Sequence, residues 1–162
     1  MPNIPEIVEY VNFGRRSLLE SIEGLSDDEL STASIFGGWT TKDMLAHIIG
    51  WDYRVISILP LIIAGRAEDI PRVDVEQQNW HAVAKFKDNS VAEVLAEIHR
   101  THRQVLDLLT QLDYIEIDRR HERQGRVITI RSYVIDNMIE HERQHALEIE
   151  QWRSQQNNES QI

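Results

Sequence analysis

Four long segments of the chain carry apolar residues at every third or fourth position, which is the spacing of an amphipathic α-helix. The stripe of the third segment consists of Val91, Leu95, Ile98, His102, Val105, Leu109 and Leu112. Turn and capping residues separate the segments, so each apolar stripe can pack against the others. The pattern predicts an all-α fold, a four-helix bundle with short extra helices.

The turn and capping residues place the predicted helices along the chain. We expect long helices over residues 5–24, 40–64, 90–112 and 129–155, with shorter ones after Ser26 and over Asp74 to Phe86. Pro60 should bend or end the second long helix, because proline cannot donate the helical hydrogen bond. Gly37 and Gly38 are expected to break the chain before it.

The segment before the last helix loses the helical pattern. Between Tyr114 and Thr129, apolar residues alternate with acids, Gly125 supplies a turn and Val127 begins a β-rich stretch. Either a small hairpin or an irregular crossover fits this pattern. We expect one bundle domain over residues 1–155 and a polar, frayed tail over 156–162.

Charge and cysteine content exclude several functions. The 162 residues suit one domain, and their formal net charge of −10 repels phosphate backbones, so we expect no nucleic-acid partner. Cysteine is absent, which removes disulfides, thiolate zinc sites and a protein thiol nucleophile. Any thiol chemistry would therefore need a thiol that the substrate or a cosubstrate brings.

The sequence does not indicate a membrane protein. Its start lacks the basic cluster and apolar core of a signal peptide, which predicts a cytoplasmic protein. The most apolar run, Val55 to Ala64, falls short of the roughly 20 residues that a bilayer crossing needs. We interpret that run as buried helix or as a subunit interface.

Three histidines fall on predicted inward stripes. His141 and His145 lie one turn apart on the last helix, and His47 lies on the second long helix between Met44 and Trp51. Two imidazoles four residues apart can grip one ion, and a third donor would leave coordination positions open. We predict a divalent-metal site on these three residues, with zinc or nickel preferred and iron as a further candidate.

Other interpretations of these histidines remain open. The two rings on the last helix can instead be hydrogen-bonded to Asn137, Glu148 or backbone without a metal. Asp43, one turn before His47, either orients that ring or serves only as a first-turn acid. His102 is expected to be a packed, hydrogen-bonded core residue rather than a fourth ligand. We assign no role to the histidines that we expect in loops or exposed, which are His81, His99 and His121.

Residues 141–145 also match the HExxH string of zinc metalloproteases, in which the glutamate is the general base. Such proteases need a third ligand, usually downstream, and no histidine follows His145. Their central pair is also normally uncharged, unlike Arg143. We therefore rank a protease below the other candidates.

Several residues are candidates for the walls of the site. Trp39, Trp51 and Trp152 can enclose an apolar pocket, although tryptophan at helical spacing is more often core. Arg54 and Arg131 are candidates for holding a substrate carboxylate, with a solvated helix position as the alternative.

The order of these motifs resembles the DinB-like superfamily. The resemblance is carried by residues 38–52, GWTTKDMLAHIIGWD, and by residues 141–152, with weaker similarity over 25–30 and 74–112. It implies a four-helix bundle in which His47, His141 and His145 match the family's metal ligands. It also implies a homodimer, to which Ile56 to Ile63 could contribute an apolar contact.

The resemblance leaves two function classes open. Some family members are thiol-dependent transferases or isomerases, which implies a metal- and low-molecular-weight-thiol-dependent transferase or hydrolase acting on small electrophiles in detoxification or stress response. The alternative is a non-catalytic protein that binds a metal, a small molecule or a toxin. Val73 to Leu112 is also similar to the colibactin self-resistance branch of cyclopropane hydrolases, whose members need not keep all three histidines.

Overall fold

The computed structural model describes residues 5–161 and shows the predicted all-α bundle. Its helices are α1 (Glu6–Ser21), α2 (Asp27–Thr32), α3 (Thr41–Ile63), α4 (Val75–Lys85), α5 (Val91–Leu109), α6 (Tyr114–Asp118), α7 (Ile130–Val134) and α8 (Glu140–Glu159). A π-helical segment, Ile135–Ile139, joins α7 to α8, so these three elements form one continuous rod. The bundle consists of this rod with α1, α3 and α5.

The predicted capping residues begin the helices. The Thr40 hydroxyl accepts from the Asp43 amide at 3.1 Å, and the Asp43 carboxylate accepts from the Thr40 amide at 3.0 Å. This reciprocal pair starts α3. Pro60 lies inside the last turn of α3 but does not end it, because the helix continues to Ile63. The final rod extends to Glu159, beyond the predicted end at residue 155.

Two small antiparallel hairpins interrupt the helices. One pairs β3 (His121–Arg123) with β4 (Arg126–Ile128), so the hairpin alternative for this region is confirmed. The other pairs β1 (Ser34–Phe36) with β2 (Trp39–Thr40), where the sequence indicated only a chain break. Gly37 and Gly38 form its turn at φ values of +55° and +84°, which glycine adopts without strain.

A buried polar layer divides the apolar core into two halves. One half contains Val11, Val55, Leu59, Val105, Leu109 and Met138; the other contains Leu18, Leu45, Ile49, Val94, Ile98 and Ile149. The layer consists of one residue from each long helix of the bundle: Arg15 of α1, Asp52 of α3, Thr101 of α5 and Glu142 of α8.

Arg15 forms the centre of this polar layer. Its Nη2 donates to Asp52 at 2.9 Å and to Glu142 at 2.7 Å, and its Nη1 donates to the Ile98 carbonyl at 2.6 Å. The Thr101 hydroxyl donates to the same Asp52 carboxylate. Burial raises the pKa of Asp52, and it raises the pKa of Glu142 to about 7, because one guanidinium serves two carboxylates away from water.

Helix α3 is long and apolar enough to cross a membrane by length and composition alone. Over that stretch 56% of the residues are buried by the rest of the bundle, and Asp52 is ion-paired in its middle. These are properties of a central core helix. Within the apolar run of residues 56–63, Ile58, Leu59 and Ile62 are buried in this structure.

Candidate metal centre

Two helices bring three imidazoles to one point, as the spacing of the histidines in the sequence predicts. Helix α3 supplies His47 and α8 supplies His141 and His145. The Nε2 atom of His141 lies 2.8 Å from that of His47 and 2.9 Å from that of His145. All three ring nitrogens lie within 4.8 Å of one another, so one metal ion can be held between them.

His145 is held through the ring nitrogen that faces away from this point. Its Nδ1 atom lies 2.7 Å from a carboxylate oxygen of Glu148. This bond fixes the ring and leaves Nε2 for the centre, which is how metal-ligating histidines are commonly oriented.

Two of the imidazoles, those of His47 and His141, are held in the neutral form that ligation requires. Burial, followed by the nearby His141 and His145, lowers the pKa of His47 to about 3. Burial and the nearby His145 lower the pKa of His141 to about 4. Neutral rings with converging Nε2 lone pairs are metal ligands without prior loss of a proton.

The donor set fits a metal after a small movement. Tetrahedral zinc at about 2.1 Å from each nitrogen separates the nitrogens by about 3.4 Å. His141 Nε2 lies 2.8 and 2.9 Å from its two neighbours at present, so these nitrogens would have to move apart by roughly half an ångström. The Nδ1 atom of His47 is buried without a hydrogen-bond partner, so this ring is less firmly fixed and can shift. Three nitrogen donors leave at least one position for a small molecule.

The other candidate residues take structural roles. Asp43 caps α3 through Thr40, which is the first-turn role; no described hydrogen bond joins it to His47. His102 lies away from the triad with its Nε2 2.9 Å from Asn12 Oδ1, a hydrogen-bonded position as expected. His81 and His99 are exposed. His121 is 91% buried on β3, so the expectation of an exposed or loop position was wrong for that residue.

The Glu142 carboxylate does not face the candidate metal centre. The metalloprotease hypothesis therefore lacks its general base. Glu142 is 98% buried, and its carboxylate is bonded to Arg15 in the core, whereas the neighbouring His141 contacts His47. Sequence periodicity placed His141 on the core stripe. The structure gives that buried position to Glu142 and leaves His141 partly exposed in the cavity.

A cavity of about 850 Å³ opens above the triad. Trp39 and Trp51 wall it as predicted, with ring centroids 5.1 and 6.5 Å from that of His47. The remaining lining includes Phe36, Val75, Asn79, Asp136, Asn137, Glu140, Arg143, Gln144 and Leu147. A volume of this size suits a small organic molecule.

Three residues proposed for the site do not line this cavity: Trp152, Arg54 and Arg131. Arg54 donates to the Pro71 carbonyl at 2.9 Å, and Arg131 binds Asp118 at 2.7 Å. Helix α4 also contributes to the cavity, which the sequence pattern did not indicate. Gly50 allows this helix to approach α3 closely, because a Cβ at that position would lie 2.4 Å from Ala82 Cβ. The approach brings Asn79 to Trp51, whose indole N–H donates to its amide oxygen at 2.9 Å.

Fold and site together define a four-helix-bundle protein with a three-histidine centre beneath an aromatic cavity. The model of the DinB superfamily matches residues 11–149, which include both long segments that carry the histidines. The chain therefore belongs to the DinB superfamily. No curated protein matches it.

Several solved structures share the fold at low sequence identity. An uncharacterised protein of Escherichia coli UTI89 superposes with a TM-score of 0.81 at 12% identity, covering 97% of this chain and 96% of its own. An uncharacterised protein of Clostridium difficile 630 gives 0.77 at 13%, covering 95% and 97%. DfsB, a sibling lethal factor precursor, gives 0.73 at 17%, covering 93% and 95%. At such identities the similarity establishes the fold alone.

Proposed function

We propose that this protein is a metal-dependent enzyme, a transferase or hydrolase that acts on small electrophiles in cytoplasmic detoxification or stress response. The observation that carries the proposal is the convergence of three Nε2 atoms at the floor of a cavity large enough for a small substrate. A structural metal site is normally closed by four protein ligands, whereas a three-donor site keeps a position for chemistry.

Some residues of the cavity would hold the metal ion, and others would bind the substrate. His47, His141 and His145 would hold a divalent ion, with zinc or nickel preferred and iron as a further candidate. When bound, such an ion supplies Lewis acidity and lowers the pKa of a coordinated nucleophile. Glu148 fixes the ring of His145, and the aromatic walls exclude water from one side of a substrate.

A thiol nucleophile would have to come from outside the chain, because the chain has no cysteine. With water as the nucleophile the protein would be a hydrolase, and with a low-molecular-weight thiol it would be a transferase. Either nucleophile would be activated by an ion held on the three histidines.

A non-catalytic role in binding a metal, a small molecule or a toxin is the second candidate. It is favoured by the position of Glu142, whose carboxylate is bonded to Arg15 and cannot take a proton at the centre. Without that carboxylate, an enzyme would have to activate its nucleophile through the ion or through another lining carboxylate, Asp136 or Glu140, whereas a binding protein needs no base.

Metal titration followed by turnover assays tests the proposal. Metal-stripped, untagged protein should bind zinc or nickel at one ion per chain. His141→Ala should abolish this stoichiometric binding, whereas the exposed His81→Ala should leave it intact. Equal losses in the two variants would remove the triad as the metal site.

Loaded protein should then convert activated esters, epoxides or aryl halides faster than His141→Ala protein, with water alone or with added thiols. Stoichiometric metal binding without turnover of any of these substrates would favour the binding role.

A further inference from the structure

We propose that, in the metal-free protein, the cavity above the triad selects ring-bearing organic cations over anions. The inference rests on the proposed function only in taking this cavity as the substrate site. It concerns which molecules the walls admit, and it is carried by the aromatic residues, by the sign of the lining charges and by the free hydrogen-bonding atoms.

The walls provide aromatic faces for a flat ligand. The Trp51 ring centroid lies 6.0 Å from that of His141, and its indole is fixed by the bond to Asn79. Trp39 stands against His47 on the other side, with the two ring planes tilted by 51°. Phe36 and Leu147 are 58% and 56% exposed and extend the apolar surface to the cavity mouth. Tryptophan faces attract organic cations as well as neutral rings.

The charged residues of the lining favour a cation. Asp136 and Glu140 are exposed carboxylates on the rod that carries His141. Arg143 is the one lysine or arginine in the lining among residues 5–161, and its Nη1 lies 3.1 Å from Glu140. An anionic ligand would have to displace Glu140 from this arginine while facing Asp136. The net charge of −10 adds long-range attraction for cations.

The neutral polar group beside these acids has a free acceptor. The Asn137 amide nitrogen donates one of its two N–H groups to the Tyr133 carbonyl at 2.8 Å, and no described hydrogen bond uses its amide oxygen. Asp136, Asn137 and Glu140 thus offer acceptor oxygens along one edge of the cavity. An ammonium group has only donors, so it matches this edge, whereas a carboxylate has only acceptors.

Three naphthalene probes of nearly equal shape test the selectivity by calorimetry on metal-stripped protein. They are 1-naphthylmethylamine, which is cationic at pH 7, neutral 1-naphthylmethanol and anionic 1-naphthoate. We expect the amine to bind at least about tenfold more tightly than the acid, with the alcohol between, and the difference to shrink in high salt. Binding of the acid as tightly as the amine would overturn the inference.

A pair of charge-matched variants locates the effect. Asp136→Asn with Glu140→Gln removes both lining carboxylates and frees Arg143, so the preference for the amine should disappear. Glu150→Gln with Glu159→Gln removes the same charge from exposed positions of α8 outside the lining, so it should retain the preference. A preference that survives equally in both variants would contradict the assignment to this cavity.

The same experiments separate this inference from the proposed function. The probes bind without metal, so the absence of metal binding would overturn the metal enzyme and leave the ranking of probes untouched. Conversely, a ranking with the acid first would overturn the cation selectivity and leave the metal site in place.

Discussion

His141 and Glu142 are consecutive residues of α8 whose side chains have different environments. The imidazole enters the cavity beside His47, and the carboxylate enters the core beside Arg15. The HExxH string is present in sequence, but its catalytic geometry is not formed. We therefore expect that zinc-loaded protein does not cleave casein and that Glu142→Gln changes nothing in that assay. Cleavage that depends on Glu142 would contradict the structure.

The buried polar layer predicts unequal effects of removing its members. Arg15→Met leaves Asp52 and Glu142 buried without their cation, which should lower the free energy of unfolding by about 3–5 kcal/mol. Glu142→Gln leaves one cation with one carboxylate and should change it by less than about 1 kcal/mol at pH 7, because burial already raises the pKa of Glu142 to about 7. Urea denaturation at pH 7 measures both, and equal losses would argue against an excess of negative charge in the layer.

Glu148 should support metal affinity without being a ligand. Its carboxylate lies 2.7 Å from His145 Nδ1, so Glu148→Gln should weaken zinc binding by about 10- to 100-fold, the usual effect of losing such an orienting group. Glu150→Gln, on the same helix and exposed, is the matched control. A competition titration with a chromogenic chelator distinguishes the two, and identical affinities would show that Glu148 does not orient the ring.

Acid should release the metal at a lower pH than the sequence indicates. The unperturbed histidine pKa of about 6.5 predicts release below about pH 6. In the structure, burial holds the pKa of His47 at about 3 and that of His141 at about 4, so we expect occupancy to persist at pH 5 and to fall towards pH 4. Elemental analysis after dialysis at each pH measures this. Complete release at pH 5.5 or unchanged occupancy at pH 3 would contradict it.

The same lowered pKa values predict acid sensitivity of the metal-free fold. In the unfolded chain, His47 and His141 take up protons from about pH 6.5, but in the folded protein they do so only near their pKa values of about 3 and 4. The free energy of unfolding should therefore fall as the pH is lowered across that interval. Thermal unfolding of stripped protein between pH 7 and pH 4 measures the loss. His141→Ala should show a smaller decrease, and an equal one would place the effect elsewhere.

Two buried helical glycines should respond oppositely to alanine. A Cβ at Gly50 would lie 2.4 Å from Ala82 Cβ, so Gly50→Ala should displace α4 and lower the free energy of unfolding by about 1–3 kcal/mol. A Cβ at Gly14 finds its nearest neighbours at 3.5 Å, so Gly14→Ala should be neutral or stabilising by up to about 1 kcal/mol. Denaturation curves measure both. Trp51 fluorescence should change only in Gly50→Ala, because α4 carries its partner Asn79.

The sequence predicts those parts of the fold that depend on local chemistry. Capping pairs such as Thr40 with Asp43 act over three residues, so they can be read without coordinates. The histidine triad is also predictable from the sequence, because few structural roles account for imidazoles on the apolar stripes of helices. The tetrapeptide His-Glu-Arg-Gln, which occurs twice in the chain, shows the limit of local sequence patterns. Its copy at residues 121–124 contributes to strand β3, and its copy at residues 141–144 lies in helix α8.

The missed features depend on contacts between distant segments. Arg15 lies on the apolar stripe of α1 between Val11 and Leu18, and its pairing with Asp52 and Glu142 explains how a charged residue is buried there. The π-helical segment contacts α1 and α3, whereas the sequence pattern predicts one uninterrupted helix there. Asn79 reaches the cavity because of the close contact between Gly50 and Ala82.

The layer around Arg15 also fixes the positions of the helices relative to one another along the bundle. Apolar side chains tolerate sliding between neighbouring rods, but displacing one rod by a turn would separate a buried charge from its counterion. Asp52 is five residues from His47, and Glu142 is adjacent to His141. The ion pairs of Arg15 fix the positions of α3 and α8 along the bundle axis. They thereby also fix where the imidazoles of these two helices meet.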